Sequence, residues 1–232
     1  MRVIVTGASG LLGRAVCKAF REAGHEDKLE SLIQELKPNV IINTAAERRP
    51  DVAEKNREAT FELNVNVPAH IASMSKVYDV LLIHISTDYV FDGKNPPYDV
   101  NDKPNPLNFY GETKYKSELA VQSANKQTVV LRVPVLYGEV EFPGESAVNI
   151  LMDSVKNSSK NVEMDHYAIR YPTNVQDVAR VIKDISEKHV EQHIPISGIL
   201  HFSSNENFTK YGMFPINHIK PIDYVPAAAA GI

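Results

Sequence analysis

The feature that most constrains this chain lies at its start, where Val3-Ile4-Val5 runs into Thr6-Gly7-Ala8-Ser9-Gly10-Leu11-Leu12-Gly13. An apolar run of strand length, a glycine-rich turn and an amphipathic stretch predict a strand, a tight turn and a helix that begins at the turn. Gly7 allows the turn, Gly10 lets backbone approach a pyrophosphate, and Gly13 lets the helix pack closely on the strand. Free amides at the helix start, aided by the helix dipole, favour an anion there. A glycine triplet alone is compatible with a purely structural turn. Its place between strand and helix points instead to a dinucleotide.

Further along, Val40-Ile41-Ile42, the run 80–85 and Val129-Val130-Leu131 are also continuously apolar. Runs without polar alternation suit strands covered on both faces, as in a parallel sheet between helices. Helical periodicity falls between them at 11–23, 27–36, 61–77 and 106–122. The fold class is therefore α/β, a doubly wound parallel sheet. Residues 1–148 read as the dinucleotide-binding domain and 149–232 as a smaller C-terminal lobe on the substrate side, interleaved with it. Phe202-Ser203-Ser204-Asn205-Glu206 and Thr209-Lys210-Tyr211 read as a strand end and a helix start in that lobe. One irregularity stands out. After Gly24-His25 a second strand is due, ending in the residue that reads the adenosine ribose, yet the text from Glu26 is already helical in period. The 232 residues, ending in Ala227-Ala228-Ala229-Ala230, accordingly read as the ordered part of a longer chain.

Charge and composition exclude several classes. With 25 Lys and Arg against 29 Asp and Glu the net charge is -4, which supplies no basic footprint for nucleic acid. No apolar run reaches the ~20 residues of a membrane helix and no charged-then-apolar leader precedes Val3, so a cytoplasmic location is expected. Cys17, the single cysteine, has no partner for a bridge or a zinc site and reads as a buried, inert thiol. His70, His84 and His166 lack ligand spacing and read as packed or surface residues.

The chemistry-bearing residues lie in the middle of the chain. Ser86-Thr87-Asp88-Tyr89-Val90-Phe91-Asp92-Gly93 follows a buried strand, and Asn105-Pro106 is expected to cap and open the helix that carries Tyr110 and Lys114. Those two are i and i+4, on one face. A free tyrosine titrates near ~10, so a neighbouring ammonium is expected to favour the phenolate and bring it nearer neutrality. Thr87 or Ser86 could hold a carbonyl oxygen against that phenol. With a nicotinamide cofactor this is a carbonyl-reduction site, with Tyr110 as proton donor, Lys114 tuning it and Thr87 orienting the substrate.

Gly7-x-x-Gly10-x-x-Gly13 and Tyr110-x-x-x-Lys114 resemble the markers of the extended short-chain dehydrogenase/reductases. The run Ser86 to Gly93, with Pro106-Leu107-Asn108-x-Tyr110-Gly111-x-Thr113-Lys114, resembles dTDP-4-dehydrorhamnose reductases. Ala45-Ala46-Glu47-Arg48-Arg49-Pro50-Asp51-Val52, Leu136-Tyr137-Gly138-Glu139-Val140-Glu141 with Glu145-Ser146-Ala147-Val148, and Met164-Asp165-His166 with Tyr171-Pro172-Thr173 resemble the regulatory beta subunits of methionine adenosyltransferase. The resemblance implies a Rossmann-like fold, bound NADP (NAD being the alternative, since the selecting strand is missing) and a methionine adenosyltransferase catalytic subunit as partner. It places Ser9, Gly10, Leu11 and Leu12 on the pyrophosphate and Thr44 and Arg48 beside the cofactor. Tyr110 and Lys114 would then face the nicotinamide ribose, and Leu136 the nicotinamide pocket. Arg48-Arg49 reads equally as a solvated helix entry before Pro50. The competing expectation is an NAD(P)H-dependent reductase of a nucleotide-sugar substrate, which the Thr87, Tyr110 and Lys114 set also suits. The run Glu47 to Asp51 favours the regulator.

Overall fold

Alternating side chains of each central strand are apolar on both sides, and each side meets its own pair of helices. The computed structural model describes residues 1–22, 26–27, 36–156, 162–214 and 219–222. Its strands are β1 (Arg2–Thr6), β2 (Glu26–Asp27), β3 (Val40–Asn43), β4 (Leu81–Thr87), β5 (Val129–Val133), β6 (Leu136–Tyr137), β7 (Val162–Asp165), β8 (Thr173–Asn174), β9 (Gly198–His201) and β10 (Ile219–Ile222). Six of them form one sheet in the order β2-β1-β3-β4-β5-β9, and every pairing in it is parallel. The order reverses between β1 and β3, which opens a crevice beyond their C-terminal ends, the place where such sheets bind ligands.

The helices are α1 (Leu11–Glu22), α2 (Pro50–Lys55), α3 (Arg57–Phe61), α4 (Val67–Val77), α5 (Phe109–Ala124), α6 (Leu151–Lys156), α7 (Val175–Val190) and α8 (Lys210–Met213). A π-helical stretch, Glu62–Asn66, joins α3 to α4. Val3, Val5, Val40, Ile42, Leu81, Ile83, Val129 and Leu131 pack with α1 and α7. Ile41, Leu82 and Val130 pack on the other face with Ala72 of α4 and Val121 of α5. This double covering is why the strands read as unbroken apolar runs. Cys17 lies in the α1 core, buried. Beyond residue 149 the chain divides: α7 and β9 join the main layer, while β7 with β10 and β6 with β8 make two small parallel sheets. None of the described helices is long and apolar enough to cross a membrane.

Two expectations are corrected. The second strand is present: Glu26 and Asp27 form β2, paired with Arg2 and Val3 of β1. It is only two residues long, too short to leave a periodic signal; the helix expected over 27–36 otherwise lies mostly outside the described residues. The helix expected from Pro106 begins instead at Phe109, because the Asn108 side chain accepts the Gly111 amide at 2.8 Å and so caps it. Asn105 is used elsewhere, donating its side-chain amide to Asp92 at 3.0 Å and its backbone N–H to Val90 O at 2.8 Å.

The close fit of α1 on β1 rests on Gly13. A Cβ there would lie 2.2 Å from Gly7 O and 2.8 Å from the Ala8 Cα, both backbone. Gly13→Ala should therefore lower unfolding stability by ~1–3 kcal/mol, read as a shift of the urea midpoint. At Gly10 the nearest atom to such a Cβ is 3.4 Å away, so Gly10→Ala should leave that midpoint within ~0.5 kcal/mol of the parent.

Candidate functional site

The turn after β1 is closed by Gly10 N–H donating to Gly7 O at 2.9 Å, with Gly7 at φ +72°, a conformation glycine adopts without strain. Thr44, the residue after β3, packs against it: its Oγ1 donates to Thr6 O at 2.6 Å and would be 2.9 Å from a Cβ on Gly7. Among the described residues no backbone acceptor meets the Leu11 and Leu12 amides, as the first turn of any helix leaves them. They are donors for an anion.

The segment after Thr44 is shaped by Asn64, which accepts the Glu47 amide at 2.8 Å and donates to Glu47 O at 3.0 Å. Arg49 pairs with Glu47, and Pro50 opens α2. Arg48 is left exposed. Its charge acts on both the Tyr110 phenol and the Glu145 carboxylate, favouring the ionised form of each.

Thr87 ends β4, and its hydroxyl lies beside the Tyr110 phenol, favouring the phenolate. It also accepts the Tyr89 amide and meets Asp88 Oδ1, each at 3.2 Å. Tyr89 stands edge-on to Tyr110 with centroids 5.6 Å apart. Of the two hydroxyls considered from sequence, Thr87 is the one beside Tyr110. Ser86 donates instead to Glu118 at 2.5 Å inside the α5 interface.

The expected tuning of Tyr110 by Lys114 does not occur in this state. Burial raises the Tyr110 phenol above its ordinary value, and the neighbouring Thr87 hydroxyl and Arg48 only partly offset this. Lys114 is also buried and donates to Ile85 O at 2.7 Å, beside His84 Nε2 at 3.4 Å. Burial brings the Lys114 ammonium down to about 8. Burial likewise pushes the Asp88 carboxyl up to about 6.

Sequence reasoning missed the polar scaffold beneath these groups. Thr6 Oγ1 donates to Asn43 Oδ1 at 2.6 Å, and Asn43 Nδ2 lies 3.1 Å from His84 Nδ1. His84 Nε2 in turn lies 2.9 Å from Ser117 Oγ. Since the Asn43 oxygen also faces the Ala45 amide, its nitrogen donates to His84. That assigns the imidazole proton to Nε2, and burial keeps the ring neutral, well below its usual range. A second network runs from Ser86 through Glu118 to Arg132, whose guanidinium holds Glu118 in two bonds of 2.9 and 2.7 Å with both side chains buried. His201 lies 3.1 Å from Arg132 Nη1. Two sequence signals were available: polar His84 and Ser86 interrupt an apolar strand two residues apart, and Tyr110, Lys114 and Glu118 repeat every fourth residue along α5. Leu136 packs against the main core from β6, and its carbonyl accepts the Ser146 hydroxyl at 2.7 Å. Among the described residues no group of His, Cys, Asp or Glu could hold a metal.

A family model described as RmlD substrate binding domain matches residues 1–215. The methionine adenosyltransferase 2 subunit beta of Bos taurus is 42% identical over 259 aligned positions, covering 99% of this chain and 77% of that one. The chain belongs to this family. The dTDP-4-dehydrorhamnose reductase of Aggregatibacter actinomycetemcomitans is 32% identical, covering 87% of this chain and 73% of that protein. Among solved structures, the dTDP-4-dehydrorhamnose reductase of Bacillus anthracis in complex with NADP is similar with a TM-score of 0.82 and 26% identity, covering 96% of this chain and 84% of that one. The family relationship accounts for the Rossmann-like layering and for the glycine turn at its switch point.

Lys114 yields a pH signature. Because its folded value is near 8 and its unfolded value near ~10.4, the unfolded chain holds more protons between these limits, so stability should rise with pH there. Lys114→Met should flatten that rise in denaturation curves between about pH 8 and 10, and the Lys114 side-chain NMR signal should titrate with a midpoint about 8.

Proposed function

We propose that this chain is an NADP-binding, reductase-fold subunit that regulates methionine adenosyltransferase by binding its catalytic subunit. One observation carries the reading: identity to the methionine adenosyltransferase 2 beta subunit is 42% across 99% of the chain, against 32% across 87% for the dTDP-4-dehydrorhamnose reductase of Aggregatibacter actinomycetemcomitans. The displayed Arg48, held by the Glu47–Asn64 bonds, lies in the run that favoured the regulator from sequence.

In this reading the amides around Ser9, Gly10, Leu11 and Leu12 hold the pyrophosphate. The open face of Gly10 and the unpartnered helix-start amides fit such an anion. Thr44 and Arg48 lie beside it, the guanidinium suiting a phosphate. Tyr110 and Lys114 serve the nicotinamide ribose, and Leu136 lines the nicotinamide pocket. Lys114 releases Ile85 O to do so, and its lowered proton affinity eases that exchange. NADPH, when bound as a reactant, supplies a hydride. The glycine turn, Thr44 and the C-terminal ends of β3 and β4 belong to a dinucleotide-binding domain of residues 1–148. Residues from 149 onward that leave the main sheet form the partner-side or substrate-side lobe. The site of action is the cytoplasm, where S-adenosylmethionine is made.

The placing of the Thr87 hydroxyl beside the Tyr110 phenol favours a second reading, reduction of a 4-keto nucleotide sugar, with Tyr110 as acid and Thr87 holding the keto oxygen. Co-purification separates the two. The chain should co-elute with the catalytic methionine adenosyltransferase of its native source and alter its kinetics; independent elution with unchanged kinetics overturns the regulatory reading. Oxidation of NADPH with dTDP-4-dehydrorhamnose, abolished by Tyr110→Phe, would instead establish the reductase.

A further inference from the structure

Arg14 is placed where helix electrostatics disfavour a cation. It lies in the first turns of α1, and its guanidinium folds back toward the positive end of the helix, donating to Ser9 O at 2.5 Å. What holds it there is a distant segment. Glu145 takes the guanidinium in two bonds of 2.9 and 2.7 Å, and Glu141 Oε1 lies 3.6 Å away. Glu145 also accepts the Glu141 amide at 2.7 Å.

The pair differs from an ordinary surface ion pair. The Glu145 side chain is only 10% exposed and the bonding is bidentate, a geometry that adds specificity as well as energy. Arg14 holds the Glu145 carboxyl down to about 2, and Glu145 raises Arg14. Across neutral and mildly acidic pH the pair is therefore fully charged.

The segment 138–149 is a closed loop after β6. Asn149 donates to Gly138 O at 3.0 Å, and Ser146 to Leu136 O at 2.7 Å. Its ion pairs with Arg14 fasten it to the helix that follows the glycine turn. Ser9 O, which Arg14 also holds, belongs to the turn itself.

We propose that Arg14 and Glu145 are positioning residues for the dinucleotide: together they latch the segment 138–149 onto the glycine turn, so that a bound dinucleotide leaves only when the latch opens. The proposal rests on the reading that this turn takes NADP(H). Because Glu145 neutralises Arg14, the guanidinium acts by holding two pieces of backbone in register rather than by adding free charge to the phosphate site. A latch over a bound ligand slows its departure more than its arrival, so losing the latch acts chiefly on the rate of dissociation.

The test uses the whole chain with NADPH, whose release is followed by stopped-flow fluorescence after displacement with excess NADP. Arg14→Met and Glu145→Gln should each speed release by about tenfold, with a smaller change in the association rate. Arg14→Lys, which keeps the charge but not the fork, should fall between parent and Arg14→Met. In the absence of nucleotide, a glutamate-specific protease should cut at Glu139 or Glu141 faster in Arg14→Met than in the parent, at a temperature where both are folded by circular dichroism. Unchanged release and unchanged cleavage in both variants would overturn the latch while leaving NADP binding intact. If the parent chain does not bind NADPH, the reading of the turn fails, and the cleavage comparison alone decides whether the latch exists.

Discussion

The contact on which the rest of the structure depends is the approach of α1 to β1 across the glycine turn. With Gly13 against the Gly7 carbonyl, the helix starts immediately beside the strand it follows. Its unpaired amides then open onto the crevice between β1 and β3, where the strand order reverses. Thr44, placed by β3, closes one wall against Gly7, and Arg14, one turn into the helix, reaches back over the other. A single backbone-to-backbone contact thus sets the position of the helix-start donors, the cation above them and the segment that cation holds.

Beneath the crevice the protein buries charge and polarity that a minimal core would omit. Ions taken from water cost free energy that is offset only by good geometry and complete hydrogen bonding. The Arg132–Glu118 pair meets that condition with two bonds plus Ser86. The neutral His84 meets it with Asn43 and Ser117. These networks tie β1, β3, β4 and β5 to α5, so strand ends and helix face are held in one register. The Lys114 ammonium belongs to the same buried layer, and this explains why it serves Ile85 O rather than the tyrosine one turn before it.

The layer order was readable because burial on two faces leaves an unmistakable pattern: Val40-Ile41-Ile42 and Leu81-Leu82-Ile83 carry no alternation. The glycine turn was readable because its spacing is dictated by contact. Three things were not. β2 holds only two residues, and no periodicity can be seen in so short a run. The start of α5 depended on which of two asparagines turned its side chain to the helix, a matter of tertiary competition for Asn105 by Asp92. The Arg14–Glu145 pair joins residues far apart in the chain, and nothing local in either segment announces the other. At the site, Thr87 at a strand end and Tyr110 on the following helix were legible, whereas the direction of the tyrosine's proton affinity was set by burial, which the linear text does not display.

Because α5 presents Tyr110, Lys114 and Glu118 on successive turns, and β4 meets them with Thr87, Ile85 O and Ser86, helix and strand are fastened at several successive levels. Thr87 and Tyr110 therefore keep their mutual distance whatever the surrounding loops do. A new ligand or partner can be met by changes in the loops and the two small sheets without moving that pair, a fixed jaw against which interchangeable jaws are fitted.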